Sequence, residues 1–262
     1  MRRSMLGVVL AVVAAVQVPG CSLEPSATPP SVSVESPARS RAAVEGFAQC
    51  PQHFPGPAPT VAWPGRQRAL CFDGFAALYS GESKTPLYTV QKLTRASVEA
   101  AKGLKRVDRF YPEARLPAAD RAQLADYAGS GYDRGHLSPA GDMPSVTAKA
   151  QSFSLANMVP QAPQLNQGAW NQIEQSTRKY AARANGAVFV FTGPSFDRQP
   201  ATIGPGNVWV PSHTWKVVYS SGDGRAWAYW TVNRGGTHSL QPIGYREFEQ
   251  RSGLALLPEA MH

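Results

Sequence analysis

The sequence predicts an α+β fold, on three observations. Short apolar runs bounded by Gly, Pro, Ser and Asn lie at residues 75–79 and 87–90, and again at 187–192, 213–219 and 226–232. One long stretch of helical periodicity, residues 165–185, lies between the two groups. Strands, then a long helix, then strands suit segregated elements better than the regular alternation of a doubly wound sheet. The 262 residues show no repeat and no second linker, so one large domain is expected.

Taken in order, residues 1–20 carry Arg2 and Arg3 and then a largely apolar run from 5 to 18. That length suits the apolar region of an export signal and falls short of the roughly 20 residues of a membrane span. The run ends in Val18-Pro19-Gly20-Cys21, similar to a bacterial lipobox, in which the cysteine becomes the lipid-bearing first residue. An ordinary cleaved signal with an incidental cysteine is the alternative, and Pro19 is an unusual occupant. In both cases export to the periplasm or cell envelope is expected, with a membrane anchor if Cys21 is modified. Residues 21–68 read as a tether and irregular lead-in. The Ser-, Pro- and Ala-rich part, 22–46, holds too few large apolar groups to offset ordering entropy. In an oxidising compartment Cys50 and Cys71 are expected to form a disulfide. It would close a loop of about 20 residues and contribute roughly 3 kcal/mol. Two buried free thiols are the alternative.

The folded domain is expected over 69–262. It starts with two strands around the turn Ser80-Gly81-Glu82-Ser83, followed by a mixed, basic stretch at 96–127. In the long helix Trp170, Ile173 and Tyr180, with Thr177 between the last two, form the core stripe, and Asn185-Gly186 closes it. A buried strand follows and stops at Gly193-Pro194. Two more strands are split by Ser221-Gly222-Asp223-Gly224, and residues 243–251 close as a short helix. The tryptophans at 209, 215, 227 and 230 read as core, and His53, His213 and His238 as structural or surface groups.

The formal charge of +8 suits an anionic partner, nucleic acid or a lipid surface, without choosing between them. Two segments carry chemistry. In Asp133-Arg134-Gly135-His136 a base able to work neutral near pH 7 stands beside a bidentate phosphate ligand, around a glycine that permits close approach. A salt-bridged Asp–Arg pair beside a structural histidine is the bland alternative. Asp133 either orients His136 or pairs with a cation. Asn166, Trp170 and Glu174 follow at four-residue spacing, which on an α-helix keeps Asn166 and Glu174 within about 80° of each other. A carboxamide oxygen is a hard ligand suited to Mg²⁺, though Asn at a helix start is also a common cap.

Together, Asp-Arg-Gly-His, then Asn157-Met158-Val159-Pro160-Gln161, then Leu165-Asn166 through Trp170 to Glu174 resemble the DNA/RNA non-specific endonucleases of the Serratia nuclease and endonuclease G type. The looser likeness covers about residues 70–257, including Thr192-Gly193-Pro194 and Trp215-Lys216. The resemblance implies the ββα-metal fold, with a central antiparallel sheet and a long metal-bearing helix. It also implies Mg²⁺-dependent hydrolysis of DNA and RNA to 5′-phosphate ends, Mn²⁺ being a substitute. His136 takes the general-base position and Asn166 that of the sole direct protein ligand. Arg134 matches a phosphate contact, and Glu174 the residue that orients a water of the metal's shell. Asn157 and Gln161 match site-lining positions. Either Arg106 or Arg109 matches an upstream arginine near the scissile phosphate. The competing reading is a catalytically silent lipoprotein that binds nucleic acid for capture or uptake. No oligomeric state follows from the sequence.

Overall fold

The computed structural model describes residues 45–261; the expected export signal, Cys21 and most of the tether lie outside the described residues. In chain order the strands are β1 Gln67–Cys71, β2 Ala76–Ser80, β3 Thr85–Leu93, β4 Asp133–His136, β5 Met158–Gln161 and β6 Val188–Ser195. They continue with β7 Thr202–Ile203, β8 Val208–Trp209, β9 His213–Ser220, β10 Ala226–Val232 and β11 Ile243–Gly244. The helices are α1 Arg95–Ala101, α2 Leu124–Tyr127, α3 Val146–Gln151, α4 Asn171–Ala181 and α5 Tyr245–Ser252. Seven strands form one sheet in the order β1-β2-β3-β6-β9-β10-β11. Every neighbouring pair in it is antiparallel. β4 and β5 form a separate antiparallel ribbon, as do β7 and β8.

Strand alternation gives the sheet two unlike faces. Tyr88, Val90, Phe191, Trp215 and Val217 point to one face and pack against Tyr245 and Phe248 of α5. Phe47, Phe54 and Val61 complete that core, so the folded unit reaches back beyond the expected start at residue 69. The lead-in is irregular in backbone but apolar in purpose. The expected disulfide, Cys50–Cys71, pins it to β1 with Cα atoms 5.8 Å apart. Each fully buried large side chain there contributes roughly 1.5–3 kcal/mol.

The second face is apolar toward its ends, where Val190 and Val218 meet Ala181 of α4, and Ala77 and Tyr79 meet Met143. Its middle is polar. Thr89, Thr192 and Lys216 are register partners on β3, β6 and β9, and none is more than 1% exposed. This row underlies everything the chain builds between β3 and β6. Those strands are neighbours in the sheet, and the excursion between them, residues 94–187, carries the β4–β5 ribbon and α4. Trp215 is wholly buried, and Trp209, Trp227 and Trp230 pack against other rings.

The expected helix is continuous but ends at Ala181, short of Asn185-Gly186, and its start departs from α geometry. Leu165–Trp170 is a π-turn, and regular α geometry begins at Asn171. A π-turn bonds i to i+5 and advances less per residue, so the first four-residue step falls short of a full turn. The second step, in α4, overshoots by about 40°. The offsets oppose, and Asn166 and Glu174 come closer to alignment than an unbroken α-helix allows.

Candidate active site

Strand β4, residues 139–141, the π-turn and α4 line a cleft of about 630 Å³. Period-two alternation along β4 turns Arg134 and His136 to the same side, and both line the cleft with Asn166 and Glu174. The ribbon is tight because Gly135 has no side chain: a Cβ there would stand 2.3 Å from Gln161 Oε1.

His136 is packed on its inner edge and open on its outer one. Phe153 meets the imidazole edge-to-face at 5.1 Å and 88°, and Phe110 lies 5.8 Å away. Nε2 is buried without a hydrogen-bond partner, which leaves Nδ1 as the nitrogen facing the cleft. Burial, reinforced by the nearby Arg106 guanidinium, lowers the His136 pKa to about 3. The ring is therefore neutral at physiological pH, with a free lone pair on the cleft side when the proton sits on Nε2.

Two arginines frame this base. The Arg134 guanidinium lies 4.2 Å from the centroid of Phe110, and that of Arg106 lies 5.4 Å from Phe153. Arg106 also pairs with Asp108 at 2.5 Å. Of the two upstream candidates, Arg106 lines the cleft, whereas Arg109 is exposed and is not among its lining residues. Phe110 and Phe153 escaped the sequence reading. An aromatic in a basic stretch and one before a helical turn carry no sign that they converge on one histidine.

Asn166 is oriented by Asp133, whose Oδ2 accepts from Asn166 Nδ2 at 2.8 Å and from Gln167 Nε2 at 2.9 Å. A carboxylate only accepts, so the amide must present its nitrogen to Asp133 and keep Oδ1 free. Asp133 thus serves neither of the expected roles, orienting His136 or pairing with Arg134. It fixes the proposed ligand. Among the described residues no three His, Cys, Asp or Glu side chains form a metal cluster. A single carboxamide oxygen with a carboxylate nearby still fits Mg²⁺, which keeps most of its waters.

Below Glu174 the site rests on buried charge. Asp142, 3% exposed, accepts from Arg178 Nε and from Gln91 Nε2, both at 2.6 Å. Lys216 Nζ donates to Thr192 Oγ1 at 2.7 Å and lies 5.2 Å from the ring of Trp170. Burial pushes the Glu174 carboxyl above its ordinary range, and the Lys216 charge pulls it part of the way back. The same burial lowers the Lys216 ammonium, which Glu174 in turn supports. Arg178 lines the cleft one helical turn after Glu174, a position that i,i+4 spacing alone makes available.

Two expected site residues lie elsewhere. Asn157 is fully buried, accepts from Ser138 N at 2.9 Å, and donates to the carbonyls of Ser138 and Ser152. It braces the segment after His136 and is not among the residues lining the cleft. Gln161, 1% exposed, packs against Gly135 inside the ribbon. Of the other histidines, His53 bonds Phe72 O, and His213 lies tilted against Trp230.

The family model described as DNA/RNA non-specific endonuclease matches residues 55–258. The chain belongs to the DNA/RNA non-specific endonuclease family. Mitochondrial nuclease 1 of Schizosaccharomyces pombe is 34% identical over 164 residues, covering 58% of this chain and 51% of that protein. Human mitochondrial endonuclease G is 35% identical over 166 residues, 59% of this chain and 55% of its own. A solved EndoG/EndoGI complex superposes with a TM-score of 0.65 at 26% identity, covering 74% of this chain and 87% of that one. The chain thus spans about half the length of these two curated relatives. The α+β architecture with a central antiparallel sheet agrees with the endonuclease family's fold.

Proposed function

We propose that the folded domain is a Mg²⁺-dependent endonuclease, with Mn²⁺ as a substitute, that hydrolyses DNA and RNA without sequence preference to 5′-phosphate ends. The observation that carries this reading is the neutral imidazole of His136, open at Nδ1 in a cleft it shares with Arg106, Arg134 and Asn166. In this reading His136 Nδ1 takes the proton of the attacking water as that water approaches phosphorus. Arg134 and Arg106 grip the non-bridging oxygens through bidentate donors. Asn166 Oδ1, kept in place by Asp133, would hold the cation, and the Glu174 carboxyl would orient a water in the cleft. When bound, the cation supplies positive charge that offsets the charge developing on the phosphate and its leaving oxygen.

The test is digestion of plasmid DNA and of RNA by the purified protein, with and without EDTA, wild type against His136→Ala. General-base catalysis is worth about 10²–10⁴-fold, so the variant should lose at least that factor. Near-normal activity in the variant would remove His136 from the role. Retention of nucleic acid without metal-dependent cleavage would instead establish a silent capture protein. We also propose that the protein is exported and lipid-anchored through Cys21. Cys21→Ala should then move it from the membrane to the soluble fraction, and an unchanged distribution would refute the anchor.

A further inference from the structure

A second pocket, of about 600 Å³, opens beside the cleft and shares Arg106, Arg134, Asn166 and Gln167 with it. It differs from the cleft in the aromatic side chains that line it. Phe110, Leu124, Tyr127 and Tyr132 contribute apolar and aromatic surface, and Leu124 is 41% exposed, one of few large apolar side chains so placed. Phe110 already carries the planar Arg134 guanidinium at 4.2 Å, which makes a layered platform at the border of the two pockets. The opposite flank of the cleft, around Asn171, Gln175, Arg178 and Lys179, has no ring in its lining.

We propose that this pocket is a nucleobase subsite for one of the two nucleotides flanking the scissile phosphate. The proposal rests on the phosphodiesterase reading and adds an asymmetry to it. Arg106 and Arg134 stand on the shared wall, so a phosphate held by them places a neighbouring nucleotide at the pocket mouth. The flat base of that nucleotide then lies against Tyr132, Leu124 and the Arg134–Phe110 layer. Every base has a π-face, so such a subsite binds without reading sequence. The nucleotide on the other side meets no comparable aromatic platform and is held by its phosphate.

The experiment uses oligodeoxynucleotides with one abasic residue immediately 5′ or 3′ of a chosen phosphodiester, and follows cleavage at that bond by wild type, Leu124→Ser and Tyr132→Ala. Loss of base stacking should slow wild-type cleavage by about 5- to 100-fold from one side only. The two variants should slow cleavage of the intact oligonucleotide and lose most of the difference between intact and abasic substrate. Leu124 is exposed, so its variant keeps the fold even if Tyr132→Ala does not. Equal cleavage of abasic and intact substrates by wild type would overturn the subsite, as would variants that slow both alike. Failure of wild type to cut any substrate refutes the phosphodiesterase reading, and is told apart from failure of the subsite by the intact control.

Discussion

The rim and the floor of the cleft are both charged, but their charges meet opposite surroundings. Arg106 and Arg134 stand in solvent with their guanidinium groups laid over Phe153 and Phe110. Lys216 and Asp142, 1% and 3% exposed, are surrounded by protein and committed to Thr192, Gln91 and Arg178. An exposed ion pair is worth little, whereas a buried charge that loses its partner is costly. The rim can therefore spend its charge on an incoming anion. The floor uses its charge to hold Glu174 and Trp170, and with them the helix that carries Asn166. Arg178 joins the two, donating to Asp142 below while lining the cleft above.

Breaking this contrast at its centre has the largest expected effect. His136→Ala should cost at least 10²-fold in rate with an unchanged melting temperature, and a melting loss of comparable weight would make His136 part of the floor. Asp142→Ala removes the acceptor of a buried donor, Gln91, and of the half-buried Arg178. It should cost about 3 kcal/mol in denaturant unfolding, the lower end for a buried pair because Arg178 still reaches solvent. Asp133→Asn frees the Asn166 amide to rotate. The Mg²⁺ concentration for half-maximal rate should rise about 10- to 100-fold, with the rate recovered at high Mg²⁺. At the rim, Arg106→Ala and Arg134→Ala should leave the fold intact. Each should reduce the slope of log affinity against log salt by about 1, while Arg109→Ala leaves it unchanged.

A pH dependence of stability is also expected. The folded pKa of His136, about 3, lies below the 6.5 of the unfolded chain. Between those values the unfolded state binds a proton that the folded state refuses. Its contribution is complete above pH 6.5 and is lost as pH falls toward 3. Thermal melts from pH 7 to 4 should decline less steeply in His136→Gln than in wild type.

The rim was legible in the sequence and the floor was not, for a physical reason. Arg134 and His136 lie two residues apart, and Asn166 and Glu174 lie on one helical run, so local periodicity brings each pair together. Thr89, Thr192 and Lys216 are separated by 103 and 24 positions and meet only through strand register. No local pattern encodes that meeting. Asp133 was visible but misassigned, because its partner Asn166 is 33 residues away. Strand-helix-strand order was enough for the fold class. The lead-in was misplaced because Phe47, Phe54 and Val61 are core residues held in irregular backbone, where no period of 2 or 3.6 marks them.

The polar row across β3, β6 and β9 bears on what could be transplanted. The ribbon and helix form one continuous excursion between adjacent strands, which makes them look like a cassette for grafting into another antiparallel sheet. A host sheet with Val or Ile at the three matching positions would meet the cassette with greasy surface where Ser138 Oγ bonds Thr89 and Lys216 faces Trp170. The portable unit is therefore the excursion together with three buried residues that do not line the cleft.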